Sequence, residues 1–349
     1  MLEKALYKVS VIIKAFNEEA KIAKSIKSAL NEVQEFDGEV IVVDSLSTDN
    51  TINIARQFLV KIVQFVNQED CNCGAAVQLG YQYARGDFIY VLDGDMELAP
   101  GFLTMALEQL LNDPSLAGVG GIVKETQVLT MYDRIRATQL YNFTENLYVN
   151  ELGGGGLYRS AAIKSVGYLG HQGLRAYEEA DLGFRLTAAG WKLLRLPHPA
   201  VFHTGHNENT FEMFIRLLRN KRAYVGGVLI KAALGQPWFK LTLKKQWYIF
   251  ILPAICTFAL ITSNLISLVN NKFSSLSGFL AIYLALWGII LVMMSLRKHS
   301  FKQGIFSVIS WHYFSIAAII GMLQKKIDPY QQIDSKEILV SSTDTQRAN

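Results

Sequence analysis

The sequence predicts an α/β domain, a mainly parallel sheet with flanking helices, followed by an α-helical transmembrane region. Two observations predict the first part. Short β-branched runs at Val9–Ile13, Val40–Asp44 and Phe88–Leu92 each end at polar residues. Between them lie stretches with apolar residues at helical spacing, and strands alternating with helices mean crossover units and a parallel sheet. The second part follows from a composition shift: charge nearly vanishes after Lys245 and three long apolar runs follow.

Taken in order, Val9–Ile13 opens the sheet. Glu18–Asn31 is a helix by its apolar residues Ile22, Ile26, Ala29 and Leu30. Val40–Asp44 is the second strand, and Thr51–Phe58 places Ile52, Ala55 and Phe58 on one helix face. Ala75–Ala84 is a third helix and Phe88–Leu92 a third strand. The run Gly153–Gly156 precedes Tyr177-Glu178-Glu179-Ala180-Asp181, and Val201–His206 closes this domain, expected over residues 1–209. Residues 210–245 read as amphipathic interface helices, with Phe211, Phe214, Ile215 and Leu218 on one side and Arg216, Arg219 and Arg222 on the other. The same pattern suits a surface helix packed on the domain. Trp247–Val269, Leu276–Leu296 and Gln303–Leu323 are each long enough to cross a bilayer and occupy the membrane region at 246–326. Residues 327–349 read as a polar tail, loose after Ile333.

Half of the 349 residues are hydrophobic, and the net charge is only +4, so nucleic acid is excluded as a partner. The basic residues from Arg216 to Lys245 suit an anionic membrane surface. The connection Arg297-Lys298-His299-Ser300-Phe301-Lys302 is basic. The positive-inside rule then makes this a multi-pass plasma-membrane protein with its N-terminal domain in the cytosol. Three spans put the C-terminus outside, which Lys325 and Lys326 contradict. Cys71, Cys73 and Cys256 read as reduced thiols. No signal-peptide core is expected, because Val9–Ile13 is only strand-length.

In parallel α/β sheets ligands bind beyond the carboxyl ends of the strands, so the polar residues there carry the argument. Asp93-Gly94-Asp95 follows the third strand. Two carboxylates so spaced can hold a hard divalent cation that bridges nucleotide phosphates, although aspartate and glycine also populate ordinary turns. Asp44-Ser45-Leu46-Ser47-Thr48-Asp49-Asn50-Thr51 follows the second strand. Asp49 or Asn50 suits a helix cap, whereas Asp44 suits a base or ribose contact. Asn17-Glu18-Glu19 follows the first strand. All three clusters point to one crevice. His171, His198, His206, His299 and His312 show no metal-ligand spacing and read as structural or surface residues.

The joint order F-N-E, D-S-x-S-x-D-x-T, G-A-A, A-x-G-D-x-I-x-x-L-D-G-D, a glycine run, E-E-x-D-L-G-x-R and a strand ending in His resembles glycosyltransferase family 2 over roughly residues 7–225. The resemblance implies the GT-A fold, a nucleotide-diphosphate sugar donor, and Mg²⁺ or Mn²⁺. The membrane tail is similar to that of bacterial polysaccharide members. By resemblance, Phe16, Glu18, Asp44, Ser45, Gly74, Asp93 and Gly94 bind the nucleotide sugar. Asp95, Asp93 and His203 hold the metal, and Gly154, Gly155 and Glu178 meet the acceptor. Glu179 stands where the family has its catalytic base, with Asp181 as the rival.

The base position holds Glu rather than Asp, and Val77-Gln78 follow G-A-A where the family often has Arg-Asn, which leaves a cationic diphosphate contact to come from elsewhere. The Q-x-x-R-W element of processive members is absent, which implies single transfer. The expected function is inverting, metal-dependent transfer of one sugar to a lipid-linked or cell-surface glycan at the membrane. The alternatives are a polyprenyl-phosphate sugar synthase and, from another class, a catalytically inactive membrane scaffold.

Overall fold

The structure is a computed structural model, which describes residues 6–128, 133–134, 136, 142–204, 210–269 and 275–339. The chain forms two compact units, one of Met1–Arg219 with Lys326–Asn349 and one of Asn220–Lys325. The expected boundaries shift accordingly. The amphipathic stretch divides at Arg219, and the tail belongs with the first unit.

The first unit carries a ten-stranded sheet. Its leading half is the expected crossover series: β1 (Lys8–Ala15), α1 (Ile22–Val33), β2 (Asp37–Asp44), α2 (Thr51–Ala55), β3 (Lys61–Phe65), α3 (Cys73–Tyr83) and β4 (Phe88–Asp93). β1 pairs in parallel with β2 and with β4, and β2 with β3. The interior positions are Val, Ile and Leu because both faces of such strands are covered. Val11, Ile12 and Ile13 have no exposed surface.

The trailing half is mixed rather than parallel. It contains β5 (Met96–Leu98), α4 (Phe102–Asn112), β6 (Leu116–Glu125), β7 (Leu147–Val149), β8 (Gly156–Arg159), α5 (Ser160–Ser165), α6 (Glu178–Ala188) and β9 (Lys192–His203). β8 lies antiparallel between β4 and β6, β9 runs parallel to β6, and β5 and β7 pair antiparallel with β9. The parallel expectation holds for β1 to β4 and for the β6–β9 pair, and the antiparallel strands β5, β7 and β8 make the sheet mixed. α7 (Thr210–Arg219) follows, with Met213 buried.

The loose-tail expectation fails for the described part of the C-terminal segment. β10 (Ser335–Ile338) pairs antiparallel with β3 and forms the edge of the sheet. Ile333 is buried, the Gln172 amide donates to the carbonyls of Pro329 and Gln331, and Tyr330 meets Tyr168 edge-on at 5.4 Å. Backbone pairing and one apolar anchor hold a segment whose composition is polar.

The second unit contains α8 (Val225–Ala233), α9 (Phe239–Lys245), α10 (Ile251–Val269), α11 (Ser275–Arg297) and α12 (Phe301–Leu323). Three segments are long and apolar enough to cross a membrane: Trp247–Val269, Ser275–Arg297 and Phe301–Leu323. Only 6% of the most apolar window of α11 is buried inside the protein, which leaves its Leu, Ile and Met side chains facing outward. α8 packs tightly on α12: a Cβ at Gly227 would lie 1.9 Å from the Ala318 carbonyl oxygen. Such close backbone approach through small residues is how helices associate where burial of apolar surface gives no net drive. Tyr283 and His312 join α11 to α12 at 2.7 Å.

Candidate active site

Strand ends bring the sequence-predicted residues together. In the register of the sheet Lys14 is opposite Asp93 and Ala15 is opposite Asp44. The chain passes from β1 outward to β2 and β3, then returns to β4 on the other side of β1. That reversal opens a crevice at the carboxyl ends of β1 and β4.

On the nucleoside side, Asp44 is fully buried. Its Oδ2 accepts from the Ser47 amide at 3.0 Å and from the Gln64 side chain at 2.8 Å, while its Oδ1 is buried with no hydrogen-bond partner. A buried acceptor left open in this way suits a ligand N–H or O–H. Ser45 donates its amide to Ala15, and Phe16 is half exposed. Asn50 is the N-cap of α2 without a side-chain capping bond, and Asp49 just before it accepts from the Thr51 amide and hydroxyl at 3.0 and 2.6 Å. Gly74 is placed differently. Its amide donates to Leu174 at 2.8 Å, and a Cβ there would sit 2.2 Å from the His171 carbonyl oxygen. It seals α3 against the 171–174 loop, so its N–H is taken.

Asp93 and Asp95 flank a turn whose Gly94 amide donates to Lys14 at 2.8 Å. Lys14 was not singled out by the sequence reading. Its ammonium lies 2.7 Å from Asp93 Oδ1 and 2.6 Å from Glu178 Oε1. Burial alone would lower its pKa, but these two carboxylates outweigh burial and hold it well above the usual lysine value. Its only signal in the sequence was a cation directly after the apolar run Val9–Ile13. Glu178 Oε1 is thus tied to Lys14.

Glu179 is gripped by the glycine run. Its two carboxylate oxygens accept from the amides of Gly154 at 2.9 Å and Gly155 at 2.8 Å. Gly155 has φ +93°, and a Cβ there would lie 2.6 Å from the Val91 carbonyl oxygen, so only glycine fits this approach. Burial, then the charge of Glu178, pushes Glu179 up to about 7 against the opposing pull of Lys14. Glu18 is likewise pushed up to about 7, by burial and then by Asp95.

Asp181 makes different contacts from Glu179. It is buried and pairs with Arg185 at 2.9 Å, and Arg185 donates to the carbonyl of Tyr168 and lies 3.7 Å over its ring. The D-L-G-x-R element thus holds a buried ion pair.

β9 ends in His203, whose Nε2 lies 3.3 Å from Asp95 Oδ2. Burial would lower the imidazole, but Asp95 and Glu125 override it and raise it to about 9. Among the described residues, no three His, Cys, Asp or Glu side chains form a metal cage by themselves. The Asp95 carboxylate and the His203 imidazole are the two side chains here that would hold a divalent cation such as Mg²⁺ or Mn²⁺.

Residues 10–166 match the model of "Glycosyl transferase family 2". The chain is 34% identical over 113 residues to the chondroitin synthase of Escherichia coli, a match covering 32% of this chain and 16% of that protein. It is 26% identical to the probable glycosyltransferase YdaM of Bacillus subtilis, covering 89% of this chain and 80% of that one. The structure of the mannosyltransferase PcManGT from Pyrobaculum calidifontis, in complex with GDP-Man and Mn²⁺, is similar in fold. Its TM-score is 0.58 at 16% identity, over 90% of this chain and 86% of that one. The sheet topology, the strand-end carboxylates and the match agree: residues 10–166 match glycosyltransferase family 2, and the fold is GT-A-like.

Proposed function

We propose that this protein is an inverting, metal-dependent glycosyltransferase that moves one sugar from a nucleotide-diphosphate sugar to a lipid-linked or cell-surface glycan acceptor. The carrying observation is Lys14, which joins the D-G-D turn to the start of the E-E helix through contacts of 2.7 and 2.6 Å. Donor-side and base-side carboxylates thereby form one site.

Asp44, with its open buried oxygen, takes a donor group of the nucleoside. Asp95 and His203 hold Mg²⁺ or Mn²⁺, which when bound offsets the charge developing on the diphosphate. Glu179 takes the proton of the acceptor hydroxyl. The acceptor oxygen forms its bond to the anomeric carbon from the face opposite the leaving group. The bond from that carbon to the diphosphate oxygen breaks, and the nucleoside diphosphate leaves with the electron pair. A pKa of about 7 lets one carboxylate both accept this proton and release it near neutrality. The test is to screen nucleotide sugars for transfer or hydrolysis with Mn²⁺ and with EDTA. No metal-dependent turnover of any of them would remove the reading.

The catalytic domain is placed in the cytosol, where nucleotide sugars are supplied. β10 belongs to the same sheet as β1 to β4, so the tail and the domain share one aqueous side. Three crossings would separate them, so we propose two. The basic connection Arg297–Lys302 favours α10 and α11 as the crossing pair, and Lys325 and Lys326 then fall on the expected side. Single cysteines at Lys336 and at Asn271 test this with an impermeant thiol reagent in intact cells. Labelling at 336 would overturn the arrangement.

A further inference from the structure

Two neighbouring strands end, and a third begins, side by side at the metal-facing edge of the site. In the register of the sheet Glu125, the last residue of β6, is opposite His203 on β9, and His203 is opposite Met96, the residue after Asp95, on β5. Glu125 is buried in this row. Its Oε2 lies 2.7 Å from His203 Nδ1, and the other ring nitrogen faces Asp95 at 3.3 Å. Its Oε1 accepts from Arg136 Nε at 2.5 Å, and Arg136 also reaches Asp133 at 2.6 Å. Both oxygens of Glu125 are therefore engaged, and a cation sits beside its charge.

We propose that Glu125 is the positioning residue for His203, fixing the imidazole so that Nε2 is the atom presented with Asp95 to the divalent metal. This inference rests on the metal-dependent reading above and adds to it a residue that no motif marks. An ionised carboxylate only accepts hydrogen bonds, so Nδ1 must carry the proton. The ring is then held in one plane, with Nε2 as the atom that would face a metal beside Asp95. Carboxylates that orient a metal-binding histidine in this way typically contribute about 10- to 100-fold in metal affinity or activity. Arg136 and Asp133 complete the support by fixing the plane of the Glu125 carboxylate.

The experiment compares the full chain with Glu125→Gln and Glu125→Ala, solubilised in detergent. Mn²⁺ alone is titrated in and its free signal followed by electron paramagnetic resonance. The tautomer of His203 is read from ¹⁵N-histidine spectra, using His203→Gln to assign the signal. In the unaltered chain His203 carries its proton on Nδ1 when Mn²⁺ is replaced by diamagnetic Mg²⁺. Glu125→Gln, whose amide can donate as well as accept, loses that single tautomer and weakens Mn²⁺ binding about 10-fold or more. Glu125→Ala weakens it at least as far. Thermal unfolding identifies any variant that has simply failed to fold, and Glu125→Gln, of equal size, serves if the alanine does not fold. Wild-type Mn²⁺ affinity in a folded Glu125→Gln, or an unchanged His203 tautomer, would overturn the role of Glu125. An unaltered chain that takes up no Mn²⁺ would instead overturn the metal reading beneath it.

Discussion

If Glu179 is the base, transfer must follow its ionisation. Burial and the neighbouring charge of Glu178 raise it to about 7, while Lys14 and the Gly155 amide pull the other way. With that value, roughly a tenth of molecules hold an ionised base at pH 6 and about nine-tenths at pH 8. The chemical step should therefore rise about tenfold between those two values. Glu179→Gln keeps the size of the side chain and an oxygen for the glycine amides, but it cannot accept the acceptor proton. It should lose about 10²-fold or more in rate and flatten the remaining profile, while donor binding survives. Stability carries the opposite sign. The folded pKa lies above the ordinary glutamate value of 4.5, so the folded protein binds the extra proton. That contribution is full below about 4.5 and is lost as pH rises through about 7. Glu179→Gln never ionises, so its thermal unfolding should gain on the unaltered protein as pH goes from 5 to 8. The assays are single-turnover transfer from pH 5.5 to 9 and thermal unfolding over the same range. A folded Glu179→Gln that transfers at the normal rate would refute the assignment, as would a flat profile from pH 6 to 8 in the unaltered enzyme.

Asp95→Asn should abolish transfer at saturating Mn²⁺ with unfolding unchanged, because it removes carboxylate charge from the metal site; a fully active variant removes Asp95 from the mechanism. Lys14→Met removes a cation that holds Glu179 down, so the acidic limb of the pH–rate profile should move to higher pH, read as kcat/KM against pH. Asp181→Asn should cost about 3 kcal/mol in urea unfolding by leaving Arg185 buried beside a neutral partner, and its folded fraction should still bind donor. Gly155→Ala should cost about 1–3 kcal/mol by backbone strain, with a further loss from its clash with the Val91 carbonyl, measured the same way.

The leading half of the sheet was legible because its strands are apolar runs punctuated by chemistry. Asp44 and Asp93 stand at strand ends, where a buried β-branched run stops and side chains can turn to a ligand. Periodicity therefore located both the elements and their working residues. The trailing half was not legible in this way. β5 and β7 are three-residue strands with no room for a period, and whether β8 runs with or against β4 is decided by partners far away in sequence. Lys14 and Glu125 were missed for a related reason. Each acts through a cross-strand neighbour, and register is fixed by the whole sheet rather than by local pattern.

The tail poses the same problem at its sharpest. Ser335-Lys336-Glu337-Ile338 has the composition of a solvated segment, and charged residues are what edge strands commonly carry, since they discourage pairing with other chains. Its docking rests on backbone hydrogen bonds to β3, on Ile333 and on the Tyr330–Tyr168 contact, and hydropathy registers only the second of these. The one sequence clue was the conflict between Lys325-Lys326 and an outward C-terminus. Charge bias and strand pairing are independent pieces of physics, one acting at the membrane surface and one within the sheet. That both put the tail on the side of the catalytic domain is the strongest argument for an even number of crossings. It also makes β10 part of the enzyme's fold: a chain cut after Lys326 loses the edge of β3, the strand that supplies Gln64 to Asp44.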